Sequence, residues 1–80
     1  MMSKYLIIFD DGLKELFIYN VFSKDEQFFR NNYNKAYVND FRISSESFEN
    51  YIDALDYATS YAKSHNWLYN PTRNSMLKKR

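Results

Sequence analysis

The chain has 80 residues, enough for one small domain, and a formal net charge of +1. Hydrophobic residues make up 45% of it, which is sufficient for a core and argues against intrinsic disorder. The absence of cysteine excludes a disulfide framework and thiolate metal sites, and a single histidine excludes a histidine cluster.

Basic residues are concentrated at the end of the chain. The last eight residues contain four basic side chains and no acid: Arg73, Lys78, Lys79 and Arg80. The rest of the chain therefore carries a slight acidic excess, which argues against direct binding to a phosphate backbone. We predict a single α+β domain over residues 1–71 and a basic, flexible tail over 72–80.

The longest apolar run, Tyr5–Phe9, is far shorter than the about 20 residues that a membrane-spanning helix needs. It is also shorter than the apolar part of a secretory signal. We therefore expect a cytoplasmic protein with no membrane contact. The richness in Asn, Tyr, Phe, Lys and Ile is typical of an AT-rich bacterial, phage or plasmid genome, so the expected location is a bacterial cell.

Two apolar segments flank an Asp-Gly pair near the beginning of the chain. Residues 4–9 are β-branched and aromatic, and residues 15–22 alternate two sets of side chains as a strand does. An Asp-Gly pair between such runs is typical of a hairpin, because its turn residues must tolerate positive φ. The sequence predicts a β-hairpin with its turn at Asp11-Gly12.

A short helix and a third strand are predicted next. Ser23 and Glu26 fit a capping box, which begins a helix that runs through Arg30. The asparagine-rich segment 31–34 indicates a turn. Residues 36–43 alternate apolar and polar side chains, which favours an antiparallel strand with one wet face.

The segment from about 48 to 65 has the strongest helical pattern. Its inner stripe combines large apolar residues with alanines small enough to let the helix lie close to a sheet: Phe48, Ile52, Ala54, Leu55, Ala58 and Ala62. Residues 67–69 predict either a short fourth strand or a clasp. The expected fold is α+β, a three-stranded antiparallel sheet with this long amphipathic helix on one face and the short helix between strands 2 and 3.

No residue set in the sequence is typical of catalysis. His65 at a helix end is explained by the interaction of its cation with the helix dipole. Asp10 and Asp11 resemble a Mg²⁺-binding pair, but neighbours on a strand point to opposite faces and the hairpin turn accounts for both. One glycine is too few for a phosphate-binding loop. We predict a protein that is not an enzyme and has no cofactor or metal site.

Two sets of side chains are candidates for binding a partner. The first is an acidic row at helical spacing, which can imitate a line of phosphates, although a solvated helix face explains the same pattern: Glu46, Glu49, Asp53 and Asp56. The second set consists of aromatic side chains outside the inner stripe, which either anchor an interface or cover a small core: Tyr33, Tyr37, Tyr57, Trp67 and Tyr69.

The stretch Phe48-x5-Ala54-Leu55-x2-Ala58-x3-Ala62 is a generic helix of small bacterial α+β domains. In length, composition and charge layout, the whole chain resembles the small phage-encoded anti-CRISPR inhibitors. That resemblance implies an inhibitor or adaptor that binds a CRISPR or other nuclease complex. The alternative is a small nucleic-acid-binding accessory domain that uses the sheet face and the basic tail. A homodimer stays open, because a second copy would enlarge a small core.

Overall fold

A β-hairpin organises the computed structural model, which describes residues 2–79. Its strands, β1 (Ser3–Asp10) and β2 (Glu15–Phe22), pair antiparallel along their whole length. Both faces of the hairpin are buried, because successive residues of β1 from Leu6 to Phe9 are all inaccessible. Burial on both faces explains why the first apolar segment is continuous and does not alternate.

Two short strands extend the hairpin to a four-stranded mixed sheet in the order β3-β1-β2-β4. β3 (Arg42–Ile43) pairs antiparallel with β1, and β4 (Leu68–Tyr69) pairs parallel with β2. The predicted α+β class is confirmed. The predicted sheet of three antiparallel strands is only partly correct. The short fourth strand that was one alternative for residues 67–69 does form, but it is parallel to its neighbour.

Two helices cover opposite faces of the sheet. α1 (Glu26–Ala36) packs on the face that carries Leu6, and α2 (Tyr51–His65) packs on the face that carries Ile7 and Ile18. The domain therefore has three layers, with a helix on each face, where the sequence predicted a helix packed on one face. Both faces need a cover because side chains alternate between them along each strand.

The alanine row of α2 lies against the sheet as predicted. Ala54, Ala58 and Ala62 are buried. The helix ends at His65, and the next residue, Asn66, adopts a left-handed conformation (φ 57°) that commonly terminates helices. The inward position predicted for Ile52 is wrong, since 71% of this residue is exposed. Ile52 lies two residues before Ala54, about 200° around the helix, so it points away from the sheet. The helix also begins at Tyr51, later than predicted.

α1 is longer than the sequence predicts. The segment 31–34, predicted as a turn, is helical because Phe29 and Tyr33 lie one turn apart and both are buried against the sheet. The predicted capping box does not form: Ser23 lies in a 3-10 turn before α1, and no side chain caps the helix.

Only the end of the segment 36–43 forms a strand. The hydroxyl of Tyr33 donates to the carbonyl of Asn39 at 2.6 Å and accepts from the N–H of Phe41 at 2.7 Å. These bonds hold the main chain around residue 40 as a loop, so that pairing with β1 begins only at Arg42.

The hairpin is confirmed, but its turn differs from the prediction. Four residues, 11–14, connect the strands, and the positive φ falls on Lys14 (56°), while Gly12 has none. The carboxylate of Asp10 accepts a hydrogen bond from the N–H of Leu13 at 3.1 Å, which shapes the loop without a two-residue turn.

The segment predicted as a flexible tail contacts the domain. The Arg73 guanidinium donates to Asp10 and Glu15 at 3.1 and 3.0 Å, and Asn74 Oδ1 accepts from the N–H of Ile18 at 2.8 Å. Leu77 packs with the α1 cluster. The chain therefore continues to make tertiary contacts beyond residue 71, although Arg80 lies outside the described residues.

The outward position of Ile52 gives a stability test. Ile52→Ala should change the free energy of unfolding by less than about 0.5 kcal/mol, because the side chain is exposed. Ala58→Leu should lower it by about 1–3 kcal/mol, because the alanine is fully buried and extra volume overpacks the contact. Urea unfolding of both variants measures the difference. A larger loss for Ile52→Ala than for Ala58→Leu would contradict the placement of α2.

The contacts of the C-terminal segment give a second stability test. Asn74→Ala should lower the free energy of unfolding by about 1–3 kcal/mol, because the Ile18 N–H loses its acceptor. Met76→Ala, at an exposed position two residues later, is the matched control and should have little effect. Equal urea unfolding curves for the wild-type protein and both variants would show that the segment does not pack on the sheet edge.

Candidate protein-binding groove

A groove of about 530 Å³ runs between α1 and the second half of β2. Residues 25, 28, 32 and 36 form one wall, because the helical period places them in line along α1. The opposite wall is residues 19–22 of β2. The buried rings of Phe29 and Tyr33, both on α1, form the base. Tyr37 and Lys79 close the end next to the C-terminus of the helix.

The rings around the base of the groove hold one another in place. Tyr19 stacks on Phe29 with ring centroids 5.0 Å apart, and the hydroxyls of Tyr19 and Tyr37 are 3.0 Å apart. The Tyr37 ring also stacks on Tyr33 at 5.7 Å. Rigid aromatic rings with polar tips lose little conformational entropy when a partner binds, which makes them good interface anchors.

Large apolar side chains are exposed along the rim. Phe28 is 71% exposed on α1, and Phe22 is 49% exposed at the end of β2. Adjacent helical side chains point about 100° apart, so with Phe29 directed at the sheet, Phe28 points sideways and is exposed. Exposed phenylalanines beside an aromatic groove are typical of a surface that binds another molecule.

The main chain of β2 is open along the groove. Alternate residues of an antiparallel strand direct their N–H and C=O groups away from the paired strand. At Leu16 and Ile18 these groups bond to the C-terminal segment, through Asn70, Asn74 and Ser75. At Asn20, the next outward residue, nothing within residues 2–79 hydrogen-bonds the main-chain N–H or C=O.

The two ends of the groove carry opposite charges. Asp25 lies at the end where β2 leads into α1. Lys79 lies at the other end, where its main chain pairs antiparallel with that of Tyr37. Neither side chain belongs to an ion pair within the described part of the chain. Both charges are therefore free to meet groups of a bound molecule.

Two tyrosines of the groove, Tyr19 and Tyr33, stay neutral at physiological pH. Burial raises the pKa of Tyr19, and the hydrogen bond to the Tyr37 hydroxyl raises it further. Burial also raises the pKa of Tyr33, although the bond from Phe41 opposes this shift. At these two positions the groove therefore presents hydroxyl groups that can donate and accept, without phenolate charge.

The predicted aromatic set divides between the groove and the core. Tyr33 is not exposed but 5% accessible, and it lines the base, while Tyr37 is half-buried at the end. The other three are half-buried on the α2 side of the sheet, where they cover the core as the alternative interpretation held: Tyr57, Trp67 and Tyr69. Sequence reasoning missed Phe22 and Phe28, although only one ring of the adjacent pair Phe28-Phe29 can point straight at the sheet.

The predicted acidic row does not lie on one helix face. Because α2 begins at Tyr51, Glu46 and Glu49 precede it, and Glu49 forms a 3.5 Å ion pair with Lys4. Asp53 and Asp56 are exposed and line a shallow hollow of about 590 Å³ together with Tyr57. Burial raises the pKa of Tyr57, and the neighbouring carboxylate of Glu46 raises it further.

The aspartates of the hairpin are engaged in separate ion pairs. Asp10 accepts from Arg73, while Asp11 accepts two hydrogen bonds from Arg42, at 2.8 and 3.0 Å, which lower the pKa of its carboxyl. Within residues 2–79, no three His, Asp or Glu side chains are placed to hold a metal ion. None of the helices there is long and apolar enough to cross a bilayer.

His65 contacts only neighbours at the end of α2 among the residues described. Its Nδ1 lies 2.9 Å from the Ser64 hydroxyl and 3.1 Å from the carbonyl of Tyr61, and its ring stacks on that tyrosine. The serine also bonds to the Tyr61 carbonyl. These contacts belong to the end of a helix, as predicted for this histidine.

Comparison of the chain with protein-family models, with curated proteins and with solved structures gives no match. Function is therefore inferred from the groove itself, from its exposed rings, its open strand and its two charges.

The raised pKa of Tyr19 predicts how the protein responds to alkali. Because this pKa is higher in the folded protein than in the unfolded chain, the stability that Tyr19 contributes is complete below about pH 10 and decreases as the pH rises further. Tyr19→Phe should make the free energy of unfolding less sensitive to pH in this range. Urea unfolding between about pH 8 and 11 measures the slopes, and equal slopes would contradict a raised pKa of Tyr19 in the folded protein.

Proposed function

We propose that the protein is a small binding module without catalytic activity, that its partner is another protein, and that the groove between α1 and β2 is the docking site. The observation that carries this proposal is the exposed Phe28 beside the packed rings of Tyr19 and Tyr37. Burial of a phenylalanine side chain contributes about 1.5–3 kcal/mol, so this residue is a strong anchor once a partner covers it.

The geometry favours a protein over a nucleic acid. Both faces of the sheet are covered by helices, so rings such as Phe17 are buried and are not available to stack on bases. Three of the arginines are already engaged with carboxylates: Arg30, Arg42 and Arg73. The alternative of a nucleic-acid-binding domain therefore loses the sheet face as its surface and one basic residue of the tail.

A second candidate keeps the same class of partner but uses another surface. Asp53 and Asp56 are exposed, and neither forms an ion pair within the described residues. These two carboxylates can meet the basic channel of a nucleic-acid-handling protein, such as a CRISPR or other nuclease complex. The protein would then act as an inhibitor of that complex.

Capture of a partner from bacterial lysate tests the main proposal. Immobilised wild-type protein should retain a protein partner, and Phe28→Ala should lower its recovery at least about tenfold, because a central aromatic anchor is lost. Ile52→Ala is the matched control, since Ile52 is equally exposed but lies on α2. Recovery of nucleic acid alone, or equal recovery with Phe28→Ala, would contradict the proposed groove.

The same capture experiment separates the two surfaces. The double variant Asp53→Lys, Asp56→Lys should leave binding through the groove unchanged. If this variant alone abolishes recovery while its melting curve is unaltered, the acidic surface of α2 is the docking site.

A further inference from the structure

We infer that the groove takes an extended segment of a partner protein, which adds to the open edge of β2 as a further strand. This inference rests on the proposed function, since it specifies how the protein partner is bound. It is carried by the uncovered main-chain groups of Asn20 and by the groove that runs beside them.

The two edges of the hairpin are covered to different extents. Along β1, the outward groups of Tyr5 bond to Phe48 and those of Ile7 bond to Ser44, so this edge is covered. Along β2, the hydrogen bonds from the outward main-chain groups to the C-terminal segment end at Ile18. The N–H and C=O of Asn20 therefore offer a template for pairing with another strand at the place where the groove lies.

The C-terminal segment of the chain already uses the first part of this edge. β4 follows the edge of β2, and the N–H groups of Asn70 and Ser75 donate to the carbonyls of Leu16 and Ile18. At Ser75 the backbone adopts a positive φ of 59°, and the chain leaves the edge. The C-terminal segment of the same chain thus covers the first part of the edge, and the part at Asn20 is open to a second molecule.

The dimensions fit a short extended segment. Residues 25–36 of the α1 wall span about 16 Å at the helical rise of about 1.5 Å per residue. An extended chain covers that length with about five residues. Alternate side chains of such a segment point to the same face of the sheet, where Phe28 and Tyr19 can contact them.

The charges of the groove specify the kind of segment. Lys79 at one end attracts an acidic residue, and Asp25 at the other end attracts a basic one. The segment is therefore expected to be apolar at alternate positions with opposite charges at its two ends. A second copy of this chain fits less well, because its own α1 follows β2 closely and would meet the first α1 on the same side of the joint sheet.

Selection of peptides tests the inference. Random seven-residue peptides displayed on phage are selected on immobilised full-length protein, and an enriched peptide is synthesised for titration calorimetry. We expect alternating apolar residues in the enriched sequences. Asn20→Pro should weaken binding at least about tenfold, because it removes an edge N–H that bonds to the peptide. This N–H lies outside the β1–β2 ladder, so proline is compatible with the fold.

Asn20→Ala is the matched control, because it shortens the same side chain and keeps the N–H. It should bind the peptide with nearly unchanged affinity, and thermal melting confirms that both variants fold. If Asn20→Pro does not fold, amide hydrogen exchange of the wild-type protein decides instead. The Asn20 amide should exchange more slowly when the peptide is bound.

Four results would overturn the inference: no enriched peptide, equal affinity of Asn20→Pro, unchanged exchange at Asn20, or a wild-type dimer that Asn20→Pro converts to a monomer. The last result would assign the edge to a second copy. If a lysate partner depends on Phe28 but binds Asn20→Pro normally, only strand addition fails. If no protein partner is captured at all, the proposed function itself fails.

Discussion

Burial of the β1–β2 hairpin on both faces is the constraint on which the structure depends. Leu6 and Ile8 point to one face and Ile7 and Phe9 to the other, and all four are inaccessible to solvent. A chain of 80 residues must therefore supply two separate covers from the segments after the hairpin. α2 provides one through small alanines, and α1 provides the other through two large rings.

The segments that connect and follow the two helices run along the edges of the hairpin, and their paths determine which part of an edge stays open. The segment between the helices passes along β1, where the buried Ser44 hydroxyl accepts from the Ile7 N–H at 3.0 Å and donates to the carbonyl of Glu46. The C-terminal segment passes along β2 but leaves its edge after Ile18. The open edge and the aromatic groove therefore lie together, because only a 3-10 turn (Ser23–Asp25) separates the end of β2 from the beginning of α1.

The parts of the fold that sequence predicted well are those with a strong local pattern. The hairpin is indicated by two apolar runs around a turn, and the alanine row is indicated by helical spacing. The extent of α1 was not predictable from propensity, because burial of Phe29 and Tyr33 outweighs the poor helix preference of its asparagines. The contacts of Arg73 and Asn74 join residues more than fifty positions apart, and no local pattern reports them.

The site was predictable only in part, for the same reason. Tyr33 and Tyr37 were identified as candidates, and both line the groove, but Tyr33 is buried where exposure was predicted. Phe28 was identifiable from its position next to Phe29, since two adjacent helical side chains point about 100° apart and cannot both point straight at the sheet. The open edge at Asn20 was not, because it depends on where the C-terminal segment leaves β2.

Amide hydrogen exchange along β2 of the free protein, measured residue by residue by NMR, tests the open edge most directly. We expect slow exchange at Tyr19 and Val21, whose N–H groups bond to β1, and slow exchange at Ile18, which bonds to Asn74. Between them, the Asn20 amide should exchange much faster. Protection of Asn20 equal to that of its two neighbours would show that the edge is already covered and would contradict an open strand in the groove.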